Sequence, residues 1–185
     1  FEQVVASSER YKVKIRVDAN GGWNLPTAVE MRHWLAERGV RYIEQPLKEG
    51  DESNLLPLYE QSALPIYVDE SCRFAHNIPQ WARAVHGINF KLMKCGGITE
   101  ALRIIATAKA FGLKPMVGCM SDSSVSIAAA AALSGVLDHI DLDSHYNLAP
   151  DPAEGAPMIK GITQPTERPG HGAQLKKETN VTTVG

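Results

Sequence analysis

The chain has 185 residues, 44% apolar and 22% charged, with 19 Lys and Arg against 21 Asp and Glu for a net charge of −2. That length can bury one domain's core, and the near-neutral balance argues against a nucleic-acid partner, whose phosphates call for a basic excess. No apolar run reaches membrane-spanning length and no basic-then-apolar leader opens the chain, so no membrane role is expected; three widely spaced cysteines, Cys72, Cys95 and Cys119, read as free thiols of a reducing, cytoplasmic compartment.

Phe1 to Arg10 reads as the end of a helix, with Val4, Val5 and Ser8 near one face. Val13 to Asp18 alternates, Val13, Ile15 and Val17 on one side and Lys14, Arg16 and Asp18 on the other, and breaks at Asn20-Gly21-Gly22. That is a strand with an acid at its end, opposite its apolar face. A helix is predicted from Pro26 to Arg38, with Ala28, Met31 and Leu35 on one stripe and Gly39 as its stop. A second strand, Val40 to Gln45, carries Tyr42 and Glu44 on one face; a short helical stretch follows near Leu55 to Gln61. The third strand, Pro65 to Asp69, places Tyr67 and Asp69 together, and Ile78 to Val85 is helical. Strand four, Gly87 to Leu92, carries Asn89 and Lys91 on one face; Thr99 then caps a helix bearing Ala101, Ile105 and Ala108 and stopped by Gly112. Strand five, Lys114 to Cys119, leads into an Ala-rich helix, Val125 to Leu133, and strand six, His139 to Asp143, places Asp141 and Asp143 on one face. Beyond about 148 the text turns to proline, glycine and charge, which predicts an extended tail, 149–185, wrapped on a body of 1–148.

The spacing from Asp18 to Glu44 is 26 residues, from Glu44 to Asp69 25, from Asp69 to Lys91 22, and from Lys91 to Asp141 50, or two further units. Strand, turn and helix repeated at that period make the βα unit of a parallel sheet. Six units are visible where a closed barrel has eight. An open doubly wound sheet would bury its strands on both faces and keep them apolar throughout. These strands keep charge on one face near their C-terminal ends, so the expected fold is a parallel (β/α) barrel represented by about six of its eight units.

Any one of these acids could cap a helix or pair with a neighbouring cation. Three of them, on the ends of successive strands, form instead an all-oxygen donor set suited to a hard divalent ion, Mg²⁺ before Zn²⁺. Lys91 on the following strand could make a salt bridge to a carboxylate; as a general base, a lysine held near a cation and screened from water has a lowered pKa, so that its neutral amine accepts a proton near pH 7. Lys94, three residues on, is read as structural. The six histidines have no ligand spacing, although His145 and Tyr146 stand beside the Asp141–Asp143 pair and could line its pocket.

DANGGW, EQP, DES and KLMKCGG, in this order and spacing, resemble the enolase superfamily and its muconate-lactonizing subgroup. The IDLD of the last strand further resembles the dipeptide epimerases of the Ala-Glu type, and the tail's RPGHG resembles their PGLG-like ending. The resemblance implies that Asp18, Glu44 and Asp69 bind Mg²⁺, that Lys91 is the acid/base, and that Asp141 and Asp143 hold a dipeptide's α-ammonium. It implies epimerisation by α-proton abstraction through a metal-stabilised enediolate; a Lys base working with Mg²⁺ is an established pattern of that superfamily rather than a deduction from this sequence. Muconate cycloisomerase or o-succinylbenzoate synthase chemistry would use the same ligands and Lys, but those substrates carry no ammonium for the aspartate pair. A non-catalytic barrel fragment is the remaining alternative.

The same resemblance implies a second base on a Lys-x-Lys segment one unit before Asp18 and an N-terminal capping domain over the substrate. Counting back from Asp18 runs off the start of the chain, and Lys12-Val13-Lys14 falls on the Asp18 strand itself. The chain therefore reads as the C-terminal part of a protein about twice as long, expected to be inactive alone, with the N-terminal segment as its partner and homo-oligomers common among such barrels.

Overall fold

A computed structural model describes residues 1–61 and 63–177. The chain starts in helix α1 (Glu2–Tyr11), and strand–helix pairs follow. They are β1 (Val17–Asp18) with α2 (Leu25–Ala36), β2 (Ile43–Glu44) with α3 (Leu55–Glu60), and β3 (Ile66–Val68) with α4 (Ile78–Trp81). Next come β4 (Gly87–Phe90) with α5 (Leu92–Cys95) and α6 (Ile98–Ala110), β5 (Lys114–Val117) with α7 (Ser124–Ala131), and β6 (His139–Ile140). The six strands form one parallel sheet in sequence order. It is the curled, six-stranded part of a (β/α) barrel, as the βα period predicts.

The strands are shorter than the alternation suggests, but their ladders run on: Arg41 N–H donates to Ile15 O, Ala19 N–H to Glu44 O and Asp141 N–H to Val117 O. α4 stops at Trp81, short of the expected Val85. Thr99 is not a cap. Helix α6 starts one residue earlier, at Ile98, after Gly96 and Gly97, both at positive φ, turn the chain directly out of α5. Beyond the ends of α2 and α6 stand Gly39 and Gly112, with φ of +72° and +71°, where the next amide, Val40 or Leu113, returns to a carbonyl of the last turn.

Outward-facing residues of the sheet, among them Ile66, Val68, Ile88, Phe90 and Val117, pack on Leu55, Leu58, Ile78, Ala101, Ile104, Ile127 and Ala128 of the helices. Ile43 packs with Leu35, Val40 and Leu64, backed by Ile15 and Val17. Buried area of this kind is the main stabilising term, at about 25 cal/mol per Å². The concave face is different. Tyr42, Tyr67 and Met116 form a separate buried cluster there, with the Tyr42 hydroxyl 3.1 Å from Met116 Sδ and the His139 ring tilted against Tyr42 and edge-on to Tyr67. A Cβ on Gly87 would overlap the Tyr67 ring, so glycine is what lets that ring lie flat in the interior.

β1 and β6 are the sheet's two edges. Arg16, on the concave face of the chain entering β1, reaches across to Ile140 O at 3.2 Å and to the Tyr42 hydroxyl at 3.3 Å. A cavity of about 430 Å³ lies between the edges, lined by α1 and β1 residues with Tyr42, Glu44, Met116 and Asp141.

The tail forms two small antiparallel ribbons, β7 (Ala153–Glu154) with β10 (Gln174–Leu175) and β8 (Met158–Ile159) with β9 (Ile162–Thr163). Ala153 and Ala156 are buried against the body, and Thr163 Oγ1 donates to Leu142 O. The expected tail runs to 185; residues 178–185 lie outside the described residues. Among the described residues no helix is long and apolar enough to cross a membrane.

Asp151 ties this tail to α7, accepting from Ser124 Oγ at 2.6 Å, Ser124 N at 3.1 Å and Ala153 N at 3.0 Å. Burial works to raise its pKa, but these donors and Lys176 hold it below the ordinary carboxylate value. Because the folded value is the depressed one, the contact stabilises above the unfolded carboxylate range and is lost as pH falls through the folded value. Asp151→Ala should cost about 1 kcal/mol, the usual worth of a cap, in thermal melts at pH 7, and the difference from wild type should shrink as pH falls through the depressed folded value.

Candidate active site

Side chains on the concave face come from every second residue, so each strand carries a pair or triplet of inward groups. Arg16 and Asp18, Tyr42 and Glu44, and Tyr67 and Asp69 are such pairs. So are Met116 and Gly118; Gly87, Asn89 and Lys91 are a triplet. The lower members make the aromatic layer and the upper ones a polar layer at the strands' C-terminal ends, where barrels of this kind carry their chemistry. Glu44 pairs in register with Asp18 on one side and Tyr67 on the other, so Asp69 stands one step further up.

Asp69 is 1% exposed and holds two ammonium groups. Lys91 Nζ lies 2.7 Å from Oδ2, and Lys94 Nζ lies 2.9 Å from each carboxylate oxygen and 3.1 Å from Glu70 Oε1. Lys94, read from the sequence as structural, thus stands beside Lys91 on the same carboxylate. Helix α5 begins immediately after Lys91, and one helical turn brings the residue three positions on back over the strand end. Its signal was the KxxK spacing at a strand-to-helix junction.

Glu44 is 6% exposed, and Asn89 Nδ2 donates to its Oε1. Its pKa is pushed up to about 7, first by burial and then by the charges of Asp18 and Asp69, against the pull of Asn89 and Lys91. Asp18 is also raised, by burial and by repulsion from Glu70 and Asp69, although its Oδ1 accepts from Asn20 N at 2.8 Å. Burial lowers the pKa of Lys91, but its hydrogen bond and ion pair to Asp69, with Glu44 and Glu70 behind, leave it raised. Lys91 stays an ammonium while Asp69 is its partner.

Gln45, also missed, clamps the strand ends. Its Oε1 accepts from Asp69 N at 2.9 Å and its Nε2 donates to Leu47 O and Ser71 Oγ at 2.8 Å. Gln45 takes a φ of +35°, a conformation that side-chain-bearing residues adopt rarely and that these bonds over-determine.

Asp18, Glu44 and Asp141 line the cavity between the edge strands, together with Lys14. Asp143 lies beside Cys119, with Sγ 3.9 Å from Oδ1. His145 and Tyr146 are directed elsewhere: they line a second cavity of about 560 Å³ between α7 and the tail, where His145 Nε2 lies 2.8 Å from Ala156 O.

Among the described residues no three His, Cys, Asp or Glu side chains converge closely enough to hold a metal ion. The donors nevertheless suit one. They are hard oxygens, repulsion from neighbouring carboxylates raises the pKa of Asp18 and of Glu44, and Glu70 Oε2 and Asn89 Oδ1 beside them are buried without a hydrogen-bond partner.

Fold and site together define a (β/α)-barrel domain with an acidic, lysine-bearing site at its strand ends. A family model described as "Enolase C-terminal domain-like" matches residues 1–179, and the chain belongs to that family. It is 69% identical over 178 residues to a "Hydrophobic dipeptide epimerase" of Flavobacteria bacterium (strain MS024-2A), covering 96% of this chain and 51% of that protein. A protein of the same name from Roseobacter litoralis is 57% identical over 175 residues, 95% of this chain and 51% of its own length. Among solved structures, the dipeptide epimerase of Enterococcus faecalis V583 complexed with Mg and the dipeptide L-Leu-L-Tyr superposes with a TM-score of 0.81 at 34% identity, over 87% of this chain and 48% of that one. The chain spans about half the length of the relatives it matches.

A Glu44 pKa raised in the fold means that folded protein binds the extra proton, so stability falls as pH rises from the unfolded value near 4.5 to about 7. Urea melts at pH 5 and pH 7.5 should show that loss in wild type and a flatter profile in Glu44→Gln, which keeps the acceptor for Asn89 without the charge.

Proposed function

We propose that this chain carries the metal- and proton-handling part of an epimerase acting on hydrophobic dipeptides. The observation supporting it best is that Asp18, Glu44, Asp69 and Lys91 stand at the ends of successive strands, with Lys91 on Asp69 and with Asp141 on the cavity that Asp18 and Glu44 line. The names of the two relatives at 69% and 57% identity support the substrate class.

Asp18, Glu44 and Asp69 would hold Mg²⁺. When bound, the ion supplies positive charge against the substrate's carboxylate as the α-proton leaves, which is what makes so weak an acid accessible. Lys91 Nζ carries that proton on one face of the α-carbon, as base in one direction and as ammonium acid in the other. Its amine becomes available once the pull of Asp69 is relaxed, because burial by itself lowers its pKa. Lys94 stays on Asp69 and Glu70 and orients the carboxylate. Asp141 and Asp143 take the substrate's α-ammonium as charge-assisted acceptors. A single base returns a proton to the face it came from, so inversion needs a second one; we place it on a Lys-x-Lys segment outside these 185 residues.

The test is deuterium incorporation at the α-carbon of L-Leu-L-Tyr in D₂O, followed by NMR, in the full polypeptide that carries this chain. Exchange and epimerisation should require Mg²⁺, stop with EDTA and fall about 10²–10⁴-fold in Lys91→Met. No exchange of any dipeptide by a folded, Mg²⁺-loaded protein would refute the reading. Asp143→Asn should raise KM and leave Mg²⁺ affinity unchanged; equal loss of both would make the pair structural. The 185 residues alone should exchange the α-hydrogen of one epimer at most. Interconversion of both epimers by them would move the second base into this chain, with Lys14 as the lysine on the cavity.

A further inference from the structure

Asn89 stands on the concave face of β4, two residues before Lys91, and is 1% exposed. Its Nδ2 donates to Glu44 Oε1 on β2, two strands away, at 2.5 Å. Its Oδ1 is buried with no hydrogen-bond partner. A buried amide is seldom left half satisfied unless the other half serves something. Glu44 makes no other side-chain hydrogen bond among the described residues, so one of its oxygens is fixed by this amide and the other is left without a donor.

On the adjoining strand, the carbon that would be the Cβ of Gly118 falls 2.8 Å from Asn89 Nδ2, 3.1 Å from Asn89 Oδ1 and 3.2 Å from Lys91 Cε. Gly118 is not at positive φ, so the backbone does not demand glycine there. Space does. Its amide donates to Phe90 O at 2.9 Å, which holds the two strands together at this level. Removing the side chain at 118 leaves a slot, and the Asn89 amide and the Lys91 stem lie side by side in it.

We propose that Asn89 and Gly118 form a positioning pair: Gly118 provides the space in which the Asn89 amide stands, and that amide selects which oxygen of Glu44 is turned toward the centre of the site. An amide suits the task because it donates without adding a charge. An aspartate in its place would bring a further carboxylate against Glu44, and an aliphatic residue would leave a buried carboxylate oxygen with no donor. The proposal deepens the metal reading above and depends on it only for its consequence, tighter binding of the ion.

Two measurements in the full polypeptide test it. The first needs no metal. In ¹⁵N-labelled protein one side-chain amide, assigned by its loss in Asn89→Ala, should be shifted downfield and slow to exchange with water, and should lose both properties in Glu44→Leu. An Asn89 amide that exchanges freely in wild type, or ignores Glu44→Leu, overturns the proposal. The second is Mn²⁺ binding followed by the EPR signal of the free ion. Asn89→Ala and Gly118→Ala should each weaken binding about 10–100-fold, the usual effect of disturbing a group that orients a ligand, with far-ultraviolet circular dichroism unchanged. Because the added methyl acts through the amide, the double variant should bind no worse than Asn89→Ala. Wild-type affinity in both folded single variants, or strictly additive losses, overturns the proposal. If Asn89→Ala does not fold, Gly118→Ala carries the test, since it should weaken binding and disturb the Asn89 amide signal together. A wild-type protein that binds no Mn²⁺ would defeat the metal reading, and the amide measurement would still decide the positioning pair.

Discussion

The polar layer of this barrel depends on how negative charge is compensated at the ends of three neighbouring strands. Glu44 and Asp69 are almost wholly withdrawn from water, and Asp18 stands within their field. Buried carboxylates repel one another and lack solvation, so each must find a cation, a donor or a proton. Each finds a different one. Asp69 takes two ammonium groups, Glu44 takes the Asn89 amide and a pKa near 7, and Asp18 keeps contact with solvent and a backbone amide. A divalent ion would satisfy all three by one means, and on that ground we read the layer as a metal site.

The layer below makes this possible at little cost to the fold. Tyr42, Tyr67, Met116 and His139 fill the concave face with rings and a thioether, and the charged side chains stand above them at the strand ends. Two glycines serve this stacking by absence: Gly87 makes room for the Tyr67 ring and Gly118 for Asn89 and Lys91. At neither position does the conformation require glycine. Both are filled by a neighbour's side chain, as close-packed interiors require.

The strand-by-strand alternation made the acids and Lys91 legible, because an inward charge near a strand's end is conspicuous against an apolar outer face. Lys94 and Gln45 were not legible in the same way. Lys94 reaches Asp69 because α5 turns the chain back by one helical turn, and the side chain of Gln45 crosses to the next strand end through the Asp69 amide and the Ser71 hydroxyl. Neither contact follows from position along a strand. Asn89 was placed on the correct face, but its partner is 45 residues away on another strand, and no local pattern names it. Thr99 misled because a threonine near a helix start resembles a cap, whereas the two glycines before it had already begun the helix.

Period-2 patterning, with an inward charge recurring at intervals near 25 residues, determined by itself that this chain builds parallel βα units and which residues face inward. Those properties are local: each strand must bury one side, whatever its neighbours do. The protonation preferences were decided only in three dimensions. Burial acts to lower the pKa of Lys91, but the carboxylate 2.7 Å away outweighs it. The balance between desolvation and a nearby opposite charge depends on distance, and distances between strands belong to the tertiary structure alone.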